Sequence, residues 1–113
     1  MAKVEIANSL FIQIEKKFKQ RSVEVLEHLK SLENSPQKGK LLGTVGGIVI
    51  KELKFESFRF YFITDGFKLK YSNQNEIMDL LLKFVRMSDK KYQQETIEEI
   101  KHILKTMGAG AFV

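Results

Sequence analysis

A chain of 113 residues with 43% hydrophobic and 29% charged side chains fits one globular domain, able to bury roughly two thirds of its unfolded surface. It has no cysteine, which excludes disulfide staples, thiolate metal sites and a thiol nucleophile, and no run approaches the ~20 apolar residues that span a bilayer. The formal charge of +5 favours an anionic partner without choosing among nucleic acid, acidic peptide and membrane surface.

Residues 3–6 (KVEI) predict a short strand. Asn8 or Ser9 can accept from the free amides of a following helix, which carries Leu10, Phe11, Ile14 and Phe18 on one side and most of Glu15, Lys16, Lys17 and Lys19 on the other. Ser22 predicts a second cap, and Val25, Leu26, Leu29 and Leu32 form the apolar stripe of a second helix. Residues 34–39 (NSPQKG) hold the only proline and end the helical pattern, so they are a loop. Residues 41–47 (LLGTVGG) predict an irregular approach to a central hairpin, with Gly46 and Gly47 free to take positive φ.

Residues 48–62 (IVIKELKFESFRFYF) organise the chain. Strand formers dominate, and the pattern predicts antiparallel strands over 48–55 and 57–64 joined near Glu56. Period-two alternation puts Phe58, Phe60 and Phe62 on a core face, and Arg59, Tyr61 and Ile63 on the opposite, half-open face. Lys51 and Lys54 are three apart and point to opposite faces, so at most one serves a one-sided site unless a bulge intervenes.

Asp65-Gly66 is a two-residue turn signal, after which residues 67–71 either pair back or continue as a bent strand. Residues 72–75 (SNQN) predict a second turn. Residues 77–85 read as a buried strand, though 80–82 fit a helix equally. Thr96 and Glu99 have capping-box spacing at the head of a last helix whose apolar face is Ile97, Ile100, Ile103, Leu104 and Met107, stopped by Gly108 and Gly110. The fold class is α+β: a twisted, antiparallel-rich sheet of four or five strands, two N-terminal helices packed on one face, and a C-terminal helix.

Four segments together resemble the RelE/ParE superfamily of small toxins. Asn34-Ser35-Pro36 with Gly39-Lys40-Leu41 is similar to the loop before the family's sheet, and Lys51-Glu52-Leu53-Lys54 to its next strand. Phe58-Arg59-Phe60-Tyr61-Phe62 is similar to its Tyr-Arg-x-x-Tyr strand. Lys90-Lys91-Tyr92-Gln93, with Thr96 and Glu99-Ile100 behind it, is similar to its Lys-Lys-Thr-Gln-Lys-Thr-Pro-x-x-Glu-Ile segment. The chain departs from the pattern in placing Arg86-Met87-Ser88-Asp89 between Phe84-Val85 and the lysine pair, in lacking the proline, and in ending Gly-Ala-Phe-Val without a C-terminal catalytic tyrosine.

The resemblance implies a type II toxin that cuts mRNA on the ribosome without metal or other cofactor. It implies a cytoplasmic location and a small helix-turn-helix antitoxin as partner. Such cleavage activates a ribose 2′-hydroxyl, stabilises charge on the phosphate and protonates the leaving oxygen. The implied catalytic set is Arg59 and Arg86 as phosphate forks and Lys51 or Lys54 as base or electrostatic partner, with Tyr61, Lys90, Lys91 and Tyr92 contacting RNA. The alternative is a binding protein on the same scaffold, directed at RNA without cleavage or at a protein target such as gyrase.

Structural roles compete for several of these residues. Arg59 can pair with Glu52 or Asp79, Tyr61 and Tyr71 can be packed rings with wet hydroxyls, and Lys90-Lys91 can be a solvated charge pair. His28 and His102 stand alone beside apolar stripes, without ligand spacing.

Overall fold

The β-branched and aromatic run of residues 48–62 folds into the hairpin its alternation predicts, and a mixed sheet is built around it. The computed structural model describes residues 2–71 and 80–113. Strand β1 (Lys3–Ile6) leads into helices α1 (Asn8–Phe18) and α2 (Ser22–Lys30), and then into strands β2 (Lys40–Val45), β3 (Ile48–Phe55) and β4 (Phe58–Asp65). A short helix α3 (Gly66–Tyr71), strand β5 (Leu81–Asp89) and helix α4 (Gln93–Thr106) complete the order. The sheet runs β1-β5-β4-β3-β2, with β1 parallel to β5 and the other pairs antiparallel. The α+β class is as expected.

Alternation divides the core between the two faces. Phe60, Phe62, Leu53, Leu82 and Phe84 pack against Leu10, Ile14, Val25 and Leu29 of α1 and α2. Tyr61, Ile63, Ile50 and Val85 pack on the other face against Ile97, Ile100 and Leu104 of α4, and against Phe112. Phe60, Phe62 and Phe84 are fully buried, so truncating any one to alanine costs about 3 to 5 kcal/mol. The face expected to be half open is therefore closed by α4.

Local details depart from expectation where tertiary partners outweigh local pattern. Residues 40–45 form strand β2, because β3 supplies backbone partners; its register shifts between Leu41 and Gly43. Residues 66–71 are helical, not extended: Asp65 Oδ1 accepts from the Lys68 amide at 3.1 Å, and the Gly66 amide donates to Gly47 O at 2.9 Å. Gly66 is required there, since a Cβ would lie 2.7 Å from Val49 Cγ2. Gly46 and Gly47 take the expected positive φ at the β2–β3 turn.

No side chain caps α1 or α2. Ser9 Oγ donates instead to Val113 O, and Ser22 Oγ to Lys19 O. Helix α4 starts before Thr96, whose hydroxyl donates to Tyr92 O, while Glu99 binds Arg86, so the expected capping box does not form. Phe11 and Met107 are exposed rather than part of their stripes. The predicted turn at 72–75, the first residues of the predicted strand 77–85, and Asp79 lie outside the described residues.

Candidate functional site at the sheet and terminal helix junction

The pairing of β3, β4 and β5 lays polar side chains in two adjacent rows on the α4 face. Lys54 of β3, Arg59 of β4 and Ser88 of β5 form one row. Glu52, Tyr61 and Arg86 form the next, extended by Lys40 of β2. Antiparallel partners directly opposite one another share a face, which is why residues remote in sequence meet here.

Carboxylates and packing already engage much of this array. Glu52 is 2% exposed; its Oε1 lies 3.9 Å from Arg59 Nε, and its Oε2 accepts from Gln93 Nε2 of α4 at 3.1 Å. Arg59 Nη1 donates to Ser57 O at 3.3 Å, while its Nε is buried without a hydrogen-bond partner. Arg86 Nε donates to Glu99 Oε1 at 2.6 Å and Nη1 to Val85 O at 2.7 Å, with the guanidinium 5.2 Å from the Phe112 ring centre. Tyr61 is fully buried and its hydroxyl meets Ser88 Oγ at 2.8 Å. Burial pushes the Tyr61 phenol above its ordinary pKa, partly offset by the Ser88 hydrogen bond.

Tyr61 and Lys51, two of the sequence-derived site residues, do not join the exposed cations. Tyr61 has no exposed ring on which a base can stack. Lys51 points to the α1/α2 side, apart from Lys54, Arg59 and Arg86; its Nζ donates to Gln37 O at 2.9 Å and lies 5.9 Å from the Phe62 ring centre. Burial lowers its pKa. Of the two partners weighed for Arg59, Glu52 is found beside it, and Asp79 lies outside the described residues.

Lys54, Lys90 and Lys91 are exposed and form no ion pair among the described residues. Lys90 and Lys91 follow the end of β5, and Lys91 Nζ sits 5.4 Å from the ring centre of Tyr92, which is 48% exposed. A cleft of about 270 Å³ nearby is lined by Phe58, Ser88, Asp89, Tyr92 and Lys17, among others. Asp89 Oδ1 accepts from the Tyr92 amide at 3.1 Å and fixes the bend from β5 into α4.

Chemically, the junction offers exposed ammonium groups and one exposed ring beside a neutralised interior. A phosphate reaching Arg59 competes with Glu52, and no histidine lies among the site residues to take a proton from a ribose hydroxyl. Among the described residues no group of three or more His, Asp or Glu is placed to hold a metal ion. Ser88 and Gln93 carry no local signal in the sequence that would place them at this site. The β4–β5 register brings Ser88 to Arg59, and only the seating of α4 brings Gln93 to Glu52. In comparisons with known proteins, no family model, curated protein or solved structure matches the chain.

Proposed function

We propose that this chain is a RelE/ParE-like protein that binds RNA through the exposed cations at the junction of β3, β4, β5 and α4, without cutting it. One observation carries the reading: Arg59, central to the first row, is held beside buried Glu52, while Lys54 across the hairpin and Lys90, Lys91 and Tyr92 just past the end of β5 stay open to solvent. Exposed lysines hold a polynucleotide backbone by charge, and an exposed tyrosine stacks on a base of any sequence. Cleavage asks for more, namely a base for the 2′-hydroxyl and a guanidinium free to fork onto the phosphate. Among the described residues no helix is long and apolar enough to cross a membrane, and on this reading the protein works in the cytoplasm.

A second reading is favoured by Lys54, Arg59 and Arg86 sharing one face in adjacent rows. It makes the chain a type II toxin, a metal-independent mRNA endoribonuclease acting on the ribosome and neutralised by a helix-turn-helix antitoxin. It requires Glu52 and Glu99 to release their arginines when RNA arrives.

Sequencing RNA 5′ ends after induction, beside filter binding of single-stranded RNA to purified protein, separates the two. RNA retention without new 5′ ends supports the binding protein. New 5′ ends that vanish in Arg59→Ala establish the enzyme, and absence of both retention and cleavage removes both readings.

A further inference from the structure

On the face away from the RNA-binding rim, a cavity of about 620 Å³ opens between β2, β3 and α3. Its walls are apolar, with Leu41, Val49, Phe67 and Leu69 among the lining residues, and Lys51 and Gln37 supply polar groups. Volume and lining both fall in the range of small-ligand sites, which combine apolar walls with a few placed polar groups. Lys51 is the unusual member. It is 5% exposed, and its ammonium has three donors, of which Gln37 O takes one. No described carboxylate lies within ion-pair distance of it. A buried ammonium with so little compensation is costly, and the cost is relieved by a counter-ion.

We propose that this cavity binds an apolar small molecule carrying a single carboxylate, with the carboxylate on Lys51 and the apolar body against Leu41, Val49, Phe67 and Leu69. Charge complementarity sets the class of ligand. Among the described residues Lys51 is the only cation in the lining, so the site matches one negative charge rather than a doubly charged phosphate. Leu41 is 62% exposed and Phe67 70% exposed, which places apolar surface where a tail can cover it. Because burial lowers the pKa of Lys51, binding is tightest at the acid side of its titration and weakens as the amine deprotonates.

The test uses decanoate as probe, with decanol, decylamine and decyl phosphate of the same chain length as controls. Binding is read from backbone amide shifts of the full-length protein below micellar concentrations. Decanoate is expected to move the amides of Val49, Lys51 and Gly66 and to bind at least tenfold more tightly than decanol or decylamine. Lys51→Met keeps an unbranched apolar stem and is expected to erase the preference for decanoate over decanol. Leu41→Glu puts a carboxylate directly across from Lys51 at an exposed lining position and is expected to weaken decanoate severalfold more than decanol, which loses only apolar contact. Equal affinity of wild type for decanoate and decanol, unmoved cavity amides, or tighter binding of decyl phosphate than decanoate overturns the proposal. So does unchanged decanoate affinity in Leu41→Glu, a readout that stands even if Lys51→Met fails to fold.

Discussion

Arg59 Nε lies 3.9 Å from Glu52 Oε1 across the β3–β4 hairpin, and Gln93 of the terminal helix donates to the other oxygen of the same carboxylate. Glu52 thus joins two strands and a helix through one buried group. Removing it strands a largely buried guanidinium, so Glu52→Ala is expected to cost about 3 kcal/mol. Glu52→Gln keeps an acceptor for Gln93 and loses only the charge, for a cost of about 1 kcal/mol. Urea titrations of both variants measure this difference, and equal losses would mean that Arg59 draws nothing from the charge. If Glu52 holds Arg59 back from phosphate, Glu52→Gln also tightens RNA retention.

Tyr61 makes a stability prediction rather than a binding one. Tyr61→Phe deletes the contact with Ser88 Oγ and is expected to cost about 1 kcal/mol, leaving RNA retention unchanged because the ring is buried. Its pH dependence comes from the raised phenol pKa. The unfolded chain ionises near the ordinary value of about 10 while the folded chain keeps its proton. The contribution is therefore complete below about pH 10 and lost as pH rises towards the folded value. Tyr61→Phe should show a shallower alkaline loss in thermal melts, and parallel curves for variant and wild type would argue against a shifted phenol.

Lys51 has the opposite sign. Its folded pKa is lowered by burial, so between that value and the ordinary value near 10.5 the unfolded chain binds more protons and stability rises with pH. At neutral pH the buried ammonium is a burden, and Lys51→Met is expected to match or exceed wild-type stability by about 1 kcal/mol. The variant should also lack the alkaline rise. Denaturant midpoints for both proteins between neutral pH and pH 10 decide it, and the rise persisting in Lys51→Met would assign it elsewhere.

The parts of the fold legible in the sequence are those whose signal is local and periodic. Alternation over residues 48–62 gives the hairpin, the phenylalanine face, and the placement of Lys51 and Lys54 on opposite sides. Apolar stripes give helices α1 and α2 in the same way. The fate of Tyr61 is not local: its strand alternates as predicted, but only the seating of Ile97, Ile100 and Leu104 over that face decides that the phenol is dry. The same seating takes Glu99 from the cap to Arg86 and brings Gln93 to Glu52. Residues 66–71 read as extended because Phe67, Leu69 and Tyr71 alternate with lysines. Asp65 and the close approach of Gly66 to Gly47 turn them into a helix instead.

Lys90 and Lys91 provide the most direct test of the proposed RNA-binding surface. Both are exposed at the bend between β5 and α4, adjacent in sequence to Tyr92 and close to Ser88 of the Arg59 row. A lysine that neutralises one phosphate of a single strand contributes about −0.7 to the slope of log affinity against log salt. Replacing both with alanine should therefore flatten the slope by about 1.4 if each holds one phosphate. Tyr92→Ala should weaken binding by about 1 to 3 kcal/mol with little change in slope, because stacking releases no counterions. Lys51→Met, on the opposite face, should change neither quantity. Fluorescence anisotropy with a short single-stranded RNA over a range of salt measures all three variants. A slope that survives loss of both lysines would move the RNA contact away from this rim, and a slope that falls equally in Lys51→Met would reduce it to net charge alone.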